Sequence, residues 1–189
     1  VASAAQPPTL LSRYASAVAD SKAGAGTAAW MAADGSTDTK WSANWTTANW
    51  LTVDLGGTAD VSQFVVKHAG AGGESPALNT RAFAIQTSAD GSAWTTAVSV
   101  TGNTDDETSH LVAPVNARYA RLYITDPGGS SPGAASNIYE FAVYGSGFVS
   151  ANKALTATAN ASSNGGAGYV PGNVKDGSLT TSWRSANTA

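Results

Sequence analysis

The sequence predicts an all-β fold, an antiparallel sandwich or barrel, on the basis of three observations. Apolar and polar residues alternate over short stretches such as 51–55, which is the period of a half-buried strand. Clusters of Gly, Asp, Asn and Ser interrupt these stretches at regular spacing, as turns do between short strands. No long stretch shows the period of an amphipathic helix.

The predicted strands follow one another along the chain with turns between them. After the strand 51–55 and the turn at Gly56-Gly57, further strands are predicted at 61–68, 83–87, 94–100, 118–125 and 138–144. The turn signals between them lie at 89–92, 102–104 and 126–129. Only the segment 13–21 could be taken for a helix, and its β-branched and small residues favour neither state.

Composition narrows the classes of partner. Charged residues make up 12% of the 189 residues and the formal net charge is −3, so the clustered Lys and Arg of a nucleic-acid-binding protein are missing. No apolar run is long enough to cross a bilayer, and the loops are short of Lys and large apolar residues, so no membrane partner is expected. The absence of Cys excludes disulfides and thiolate chemistry. Low charge with abundant Gly, Thr, Ser and Asn is typical of a secreted, extracellular β-protein.

Part of the sequence recurs at an offset of 142 residues, because the segment 32–41 aligns with 174–183 without a gap. The recurrence predicts four parts: an N-terminal linker at 1–8, a complete module at 9–145, a linker at 146–152 and a truncated second copy at 153–189. A segment as short as the last part rarely folds alone. Either this part packs on the complete module or on a neighbour, or the chain has been cut from a longer protein. We favour the cut, because residue 189 falls in the middle of the repeated pattern.

The common catalytic motifs are missing from the sequence. It has no Gly-x-Ser-x-Gly or His-Glu-x-x-His, and the Gly-rich run 70–73 lacks the Lys of a phosphate-binding loop. His68 and His110 are too few for a zinc site. Glu74 with one of the three acids at 105–107 could form a glycosidase pair, but these acids are predicted in different loops. The prediction is a protein that is not an enzyme.

Five blocks of sequence, in order, carry a resemblance to a known family. The blocks are Asp34-Gly35-Ser36 with Thr39-Lys40-Trp41, then 50–56, 88–94, 117–122 and 138–145. Together they resemble the discoidin, or coagulation-factor C-type, domain, whose bacterial members are carbohydrate-binding modules of family 32. The resemblance covers nearly all of 9–145 and only the first block recurs in 153–189. It implies an eight-stranded, antiparallel jelly-roll β-sandwich.

The resemblance also implies a function. Such domains are usually attached to secreted glycoside hydrolases, so we expect a noncatalytic module that anchors its parent enzyme to a glycan, of galactose type or another polysaccharide. The expected partners are the glycan and a covalently linked catalytic domain, and the module is expected to be a monomer. The alternative is a structural spacer or a protein-interaction module without affinity for sugar.

The polar loop 34–39 predicts a cation site. Its carboxylate, hydroxyl and carbonyl groups are hard oxygen donors that suit Ca²⁺, although a plain turn remains the alternative. The resemblance implies a structural Ca²⁺ held by the Met31 carbonyl, the Asp34 carboxylate, the Ser36 carbonyl, the Thr39 carbonyl and hydroxyl, the Tyr139 carbonyl and the Glu140 carboxylate. In the second copy, Asn173, Asp176, Ser178 and Thr181 supply only the first half of this set, so that site is expected to be empty or weak.

A Gly-rich loop after the strand 61–68 predicts the sugar site, because loops at one end of a sandwich carry polar groups without disturbing the core. The resemblance places His68 where galactose-binding members use a histidine, and Asn103 where the family uses an asparagine. Glu74, Asn79 and Arg81 are further candidates from this loop. The alternatives are a satisfied strand-end His68, a turn role for Asn79 and an exposed ion pair between Glu74 and Arg81.

A sugar site also needs an aromatic ring for the C–H face of the sugar. Galactose binders often present this ring from the loop before the last strand, yet the loop 126–137 contains none. Trp45 is the first candidate and Trp30 the second, since the tryptophans at 41, 50 and 94 match core positions of the family. If neither is exposed, an α-glucan or a mannan becomes a better candidate than galactose.

Overall fold

The computed structural model describes residues 7–44, 48–129, 135–148, 158–174, 180 and 182–186 of the chain. The chain divides into two compact units, Val1–Val149 and Ser150–Ala189. The described part contains strands and short 3₁₀ helices, and none of its segments is a helix with the length and apolar character needed to span a bilayer. Much of the two predicted linkers, 1–8 and 146–152, lies outside the described residues.

The described strands all belong to the first unit. They are β1 (Thr9–Leu10), β2 (Ser16–Ala19), β3 (Trp41–Asn44), β4 (Asn49–Lys67), β5 (Ala82–Ser88), β6 (Thr95–Val100), β7 (Glu107–Asp126), β8 (Ala135–Ile138) and β9 (Glu140–Phe148). The 3₁₀ helices of this unit are Ala29–Ala32, Ala69–Gly72 and Pro76–Leu78. The segment whose pattern favoured neither state contains the strand β2.

Every strand pairing is antiparallel. The larger sheet has the order β1-β9-β4-β7-β5-β6, with β2 also paired to β4, and the smaller sheet joins β3 to β8. The ladder between β4 and β7 is interrupted between residues 54 and 59 and again between 61 and 63, and such irregularities bend a strand. The first half of β4 pairs with β2 and its second half with β9. The long strand β4 therefore joins β2 and β9 into one sheet.

The core lies between the layers and follows the predicted alternation. Leu51 and Val53 are fully buried, as are the rings of Trp41, Phe64 and Phe141, the last two stacked with centroids 6.2 Å apart. Burying one such ring stabilises the fold by about 2 kcal/mol. The antiparallel sandwich predicted from the alternation is therefore confirmed.

Two tryptophans depart from the prediction that they occupy the core. Trp50 is half-buried because it precedes Leu51 in β4, and adjacent side chains of a strand point to opposite faces. Trp94 is also half-buried and stacks on Arg121, with the guanidinium carbon 4.1 Å from its ring centroid. Both indoles thus lie on the outer side of the larger sheet, and of the three matched positions only Trp41 is a core residue.

The second unit contains the 3₁₀ helix Pro171–Val174. In the first unit, the Trp41 indole N–H donates to the Ser21 carbonyl at 2.9 Å. At the offset of 142 residues, the Trp183 indole donates to the Ser163 carbonyl at 3.3 Å. Trp183, unlike its counterpart, is exposed. Each unit therefore contains the same indole-to-carbonyl hydrogen bond within itself. In the described residues, the second unit does not bury its indole.

Candidate functional site

Three loops meet at one end of the sheet, after β4, before β7 and after β7. We call them the loop-end rim: residues 69–81, 103–107 and 126–129. The backbone N–H of Asn103 donates to the Arg81 carbonyl at 2.9 Å, and the N–H of Arg81 donates to the Asp126 carbonyl at 2.9 Å. Gly129 N–H donates to the Ala77 carbonyl at 2.8 Å. The structure thus brings together the loops that the sequence predicted to carry the sugar site.

His68 lies beneath this rim rather than on it. Its side chain has no exposed surface, its ring centroid is 5.5 Å from that of Phe83, and its Nε2 is 3.3 Å from the Thr108 hydroxyl. Burial lowers the pKa of His68 to about 4, and the neighbouring His110 contributes to the shift. The prediction that His68 bonds a sugar hydroxyl is corrected, because a neutral, enclosed ring has no atom to present to a ligand.

Asn79 is also buried, and its amide connects two of the loops. Its Oδ1 accepts from the Gly70 N–H at 2.8 Å, while its Nδ2 donates to the Thr104 carbonyl at 3.1 Å and to Asp106 Oδ1 at 2.8 Å. These bonds use the amide from both sides. Asn79 therefore holds the rim together, and the prediction that it contacts sugar is corrected.

Asn103 has the same kind of role, because its amide joins its own loop to Thr80 of the first loop. Its Nδ2 donates to the Thr80 carbonyl at 2.9 Å and the Asp105 carbonyl at 3.3 Å, and its Oδ1 accepts from the Asp105 N–H at 3.0 Å. The side chain is buried. The prediction that Asn103 contacts sugar is corrected for the same reason.

Glu74 is partly exposed but already has partners. It forms an ion pair with Lys40 and accepts a hydrogen bond from the Tyr139 hydroxyl at 2.6 Å. Burial alone would raise the pKa of Glu74, but the hydrogen bonds from Lys40 and Tyr139 lower it below its ordinary value. Burial and the Glu74 contact raise the pKa of Tyr139 to about 12. The ion pair with Arg81 that the sequence allowed is replaced by this cluster.

Several exposed side chains of the rim are charged, beside the exposed Ser75, Ala77 and Thr104. Arg81 is exposed and, in the part of the chain that the structure describes, its side chain has no partner. Three carboxylates are exposed beside it in the rim, those of Asp105, Asp106 and Asp126. A fourth, Glu107, lies 3.8 Å from Lys67. These side chains, rather than His68 and the two asparagines, are what the rim can present to a ligand.

The aromatic candidates are distributed differently from the polar ones. Trp30 is 52% exposed and lies in the 3₁₀ helix Ala29–Ala32, just before the loop 34–39. Trp45 lies outside the described residues. Trp30 is therefore the candidate indole that the structure shows to be reachable from solvent.

The loop 34–39 is tied to the last strand. The Glu140 Oε2 accepts from the Gly35 N–H at 2.9 Å, while Asp34 accepts from the Ser36 N–H at 2.8 Å and from the Thr39 hydroxyl at 2.7 Å. These bonds connect four of the six residues expected to bind calcium, directly or through Gly35. The four are Asp34, Ser36, Thr39 and Glu140.

Glu140 provides a test of whether a cation fits here. It is 5% exposed, and its Oε1 is buried without a hydrogen-bond partner in the described chain. Burial raises the pKa of Glu140 to about 7, and the charge of Asp34 adds to the shift. An unpaired buried carboxylate oxygen is costly unless it meets a positive charge. The oxygen donors and this orphaned atom fit a hard cation such as Ca²⁺.

Further ligands would have to be hydroxyl or carbonyl oxygens. Among the residues that the structure describes, no three His, Cys, Asp or Glu side chains cluster as a metal site would need from such groups alone. Met31 lies in the preceding 3₁₀ helix and Tyr139 immediately before β9. Such a set suits Ca²⁺, which accepts backbone carbonyls, better than Zn²⁺.

The second unit offers less to a cation. Asn173 donates from its Nδ2 to the Gly168 carbonyl at 3.0 Å and to the Ser182 carbonyl at 2.8 Å, so its amide serves the local turn. The other residues predicted for this site, Asp176, Ser178 and Thr181, lie outside the described residues.

Comparison with known proteins identifies the family and supports the fold. The profile of the F5/8 type C domain matches residues 15–141. The family 32 carbohydrate-binding module from Streptococcus pneumoniae EndoD matches with a TM-score of 0.65 and 24% identity, over 73% of this chain and 100% of that chain. No curated protein sequence matches the chain.

Two further similar structures are of modules that bind a sugar. Chitosan-binding module 1 from a chitosanase/glucanase of Paenibacillus sp. IK-5 has a TM-score of 0.62 and 28% identity, over 72% of this chain and 99% of that chain. The family 32 module from C. perfringens NanJ, in complex with galactose, has a TM-score of 0.61 and 19% identity, over 72% and 98%. These likenesses confirm the predicted jelly-roll sandwich.

Proposed function

The chain belongs to the F5/8 type C domain family, and on that basis we propose that it is a noncatalytic carbohydrate-binding module. The observation that carries the proposal is the loop-end rim, where exposed charged side chains stand on loops that buried amides hold in place. Fixed loops lose little conformational freedom on binding, which favours the recognition of a flexible glycan. The structures that resemble this chain include family 32 carbohydrate-binding modules.

The charge of the rim suggests the class of glycan. Asp105, Asp106 and Asp126 are exposed there beside one exposed base, Arg81. An acidic surface attracts protonated amines. We therefore propose a polysaccharide that carries amino sugars, and the 28% identity to a chitosan-binding module supports this choice. A galactose-type ligand is less well supported, because His68 is enclosed and both asparagines are engaged.

A glycosidase role has no support in the geometry. A general acid needs a raised pKa and contact with the substrate. Glu140 has the raised pKa, but it is buried under the loop 34–39. The rim carboxylates are exposed instead, as binding groups would be.

Calcium would have a structural role in this module. Held by Asp34, Glu140 and neighbouring oxygens, it would give Glu140 Oε1 the direct partner that the more distant charges of Arg13 and Lys67 do not supply, and it would join the loop 34–39 to β9. The proposed donors come from two elements, the loop 34–39 and β9, as would suit a structural cation rather than a catalytic one. Met31, Ser36, Thr39 and Tyr139 are proposed as the remaining ligands.

The wider setting is also proposed. A secreted, monomeric module linked to a glycoside hydrolase, with no nucleic-acid or membrane partner, agrees with the low charge and with the origin of one similar module in a family 31 glycoside hydrolase. A spacer or a protein-interaction module without sugar affinity is the second candidate.

Calorimetric titration at pH 6 separates these possibilities. The probes are chitotriose, its N-acetylated counterpart and galactose, since the first two differ in charge but not in chain length. We expect chitotriose to bind with a dissociation constant of about 10 µM to 1 mM, and the acetylated trisaccharide to bind less tightly.

Two other outcomes would change the proposal. Equal binding of the two trisaccharides would contradict the amino-sugar class while preserving a glycan-binding role. No heat with these sugars or with galactan, mannan and α-glucan would favour the spacer.

A further inference from the structure

A second surface lies on the outer face of the larger sheet and shares no residue with the loop-end rim. It is a cleft, here called the sheet trough, lined by Trp50, Thr52, Asp90, Trp94, Tyr119 and Arg121. Val18, which is 58% exposed, lies at its border. The family resemblance had placed both of these tryptophans in the core, so no role had been expected for them.

The strand register assembles the trough. Trp50 of β4 pairs with Tyr123 of β7, and Thr52 pairs with Arg121. Arg121 also pairs with Gln86 of β5. Because the intervening residues such as Leu122 point into the core, these side chains all point outward on neighbouring strands.

Arg121 is held rigidly and has unused donors. Its Nε donates to Gln86 Oε1 at 2.8 Å, and its guanidinium carbon lies 4.1 Å from the Trp94 ring centroid and 5.7 Å from that of Tyr123. In the described residues, no carboxylate pairs with it and its two terminal nitrogens have no hydrogen-bond partner. Four N–H groups therefore remain for a ligand.

Asp90 is a fixed acceptor in the same trough. Its Oδ1 accepts from the Ser88 hydroxyl at 3.0 Å, the Ser92 N–H at 2.8 Å and the Ala93 N–H at 2.9 Å. The backbone N–H groups of Ala93 and Ser92 lower the pKa of Asp90, which keeps it ionised. Its Oδ2 has no partner in the described chain.

The charges of the trough cancel. It contains one cation, Arg121, and one anion, Asp90. The nearby Arg118 and Asp54 are bonded to each other at 2.8 Å and add no net charge. This balance distinguishes the trough from the acidic loop-end rim.

We propose that the sheet trough binds an uncharged pyranose chain. The Trp50 indole provides a flat surface for the C–H face of a sugar and the Trp94 ring supports the stacked Arg121 guanidinium. Arg121 and Asp90 then supply a fixed donor and a fixed acceptor for hydroxyl groups. A neutral trough gains nothing from a charged sugar. The inference extends the proposed function to a second surface, and two surfaces on one module would increase retention on a polymer.

Nuclear magnetic resonance of the full chain tests the inference through its indole N–H signals. The probes are four uncharged hexasaccharides: cellohexaose, laminarihexaose, maltohexaose and mannohexaose. We expect at least one of them to shift the signals of Trp50 and Trp94 in a saturable way, while the signal of the buried Trp41 stays in place. Unshifted trough signals with all four would overturn the inference.

A pair of variants locates the site. Val18→Glu adds a charged side chain at the border of the trough, and Leu111→Glu makes a similar change at a strand position that is 80% exposed and outside the trough. We expect Val18→Glu to weaken hexasaccharide binding by about tenfold, because a hydrated charge then replaces apolar surface at the border of the trough, and Leu111→Glu to leave it unchanged. If Val18→Glu does not fold, Arg121→Lys replaces it, because lysine lacks the planar donor fork.

The remaining outcomes separate this inference from the proposed function. Equal binding by both variants contradicts the trough. Shifts confined to the amides of the loop-end rim contradict the trough and leave the proposed function intact, and chitotriose binding by Val18→Glu should be unchanged. Sedimentation that shows a dimer dissociated by Val18→Glu would mean that a second copy of the chain, not a sugar, covers the trough.

Discussion

The Glu140 carboxylate accepts the backbone N–H of Gly35 at 2.9 Å, across 105 residues of sequence. This bond joins the loop 34–39 to β9, and the second oxygen of the same carboxylate is buried without a partner in the described residues. A group so placed makes the stability of the fold sensitive to whatever positive charge reaches it.

Calcium is expected to raise the melting temperature of the protein. A ligand present at about a hundred times its dissociation constant stabilises the folded state by about 2.7 kcal/mol. Scanning calorimetry with calcium and with EDTA measures the difference. Glu140→Gln should abolish the response, whereas Asp60→Asn, an exposed acid outside the site, should retain it. Identical melting with and without calcium in the unaltered protein would contradict the site.

The burial of His68 predicts a loss of stability in mild acid. The unfolded chain binds the histidine proton near pH 6.5, whereas the folded protein binds it only near a pKa of about 4. Between these values acid favours the unfolded state, so His68 alone should lower the free energy of unfolding by about 3 kcal/mol as the pH drops from 6.5 to 4. Glu140, whose pKa is raised to about 7, acts in the opposite direction over the same range, so the contribution of His68 is measured as the difference between the unaltered protein and a variant. Urea unfolding at several pH values measures both slopes. His68→Gln should remove the acid-induced loss due to His68 and His110→Gln should keep it; a slope unaffected by His68→Gln would refute the assignment.

Asn79→Ala should destabilise the loop-end rim. The change leaves the Gly70 N–H and the Thr104 carbonyl without their partner. The expected cost is about 2 kcal/mol in the free energy of unfolding, with weaker glycan binding, measured by urea unfolding and calorimetry. The control Asn116→Ala removes one exposed 3.3 Å bond and should cost less than about 0.5 kcal/mol. Similar losses of unfolding free energy in the two variants would contradict the role of Asn79 in holding the loop-end rim together.

Arg81→Ala should reduce glycan affinity without changing stability. The side chain is exposed and has no structural partner in the described residues, so only a ligand would register its loss. We expect about a tenfold increase in the dissociation constant of the N-acetylated trisaccharide, which has no charge for Arg81 to repel; this loss is typical of one charge-assisted hydrogen bond to a sugar hydroxyl. The melting temperature should be unchanged. Lys22→Ala, an exposed base away from the rim, is the matched control. Unaltered affinity in Arg81→Ala would remove this residue from the site.

Gly72→Ala should disturb the cluster of Glu74, Lys40 and Tyr139. A Cβ atom at this position would come within 2.0 Å of the Tyr139 ring, so the ring has to move. We expect a loss of about 2 kcal/mol in the free energy of unfolding, as for other overpacked sites, measured by urea unfolding. Gly24→Ala, with no atom within 4 Å, should be close to neutral. Equal stability of the two variants would show that the ring yields without cost.

Strand alternation predicts the burial of His68 and Trp50 better than the family resemblance does. His68 lies in phase with Phe64 and Val66, which are both core residues, and that phase indicates burial. Trp50 is out of phase with Leu51 and therefore faces outward. In both positions the family pattern suggested the opposite environment, and the local period was the better guide.

Other features depend on contacts that no local pattern reveals. The stacking of Arg121 on Trp94 requires the register between β5 and β7 and the turn before β6. The closing of the rim by Asn79 joins loops separated by 25 residues or more. Such contacts arise only when the whole sandwich has assembled, so neither spacing nor composition predicts them.

The short strand β1 pairs with β9, so that Thr9 lies opposite Gly145. The first and last strands of the sandwich are therefore neighbours, so the chain enters and leaves this unit at adjacent positions. A domain whose ends are adjacent can be inserted into another protein, or repeated in tandem, without separating the residues that flank it.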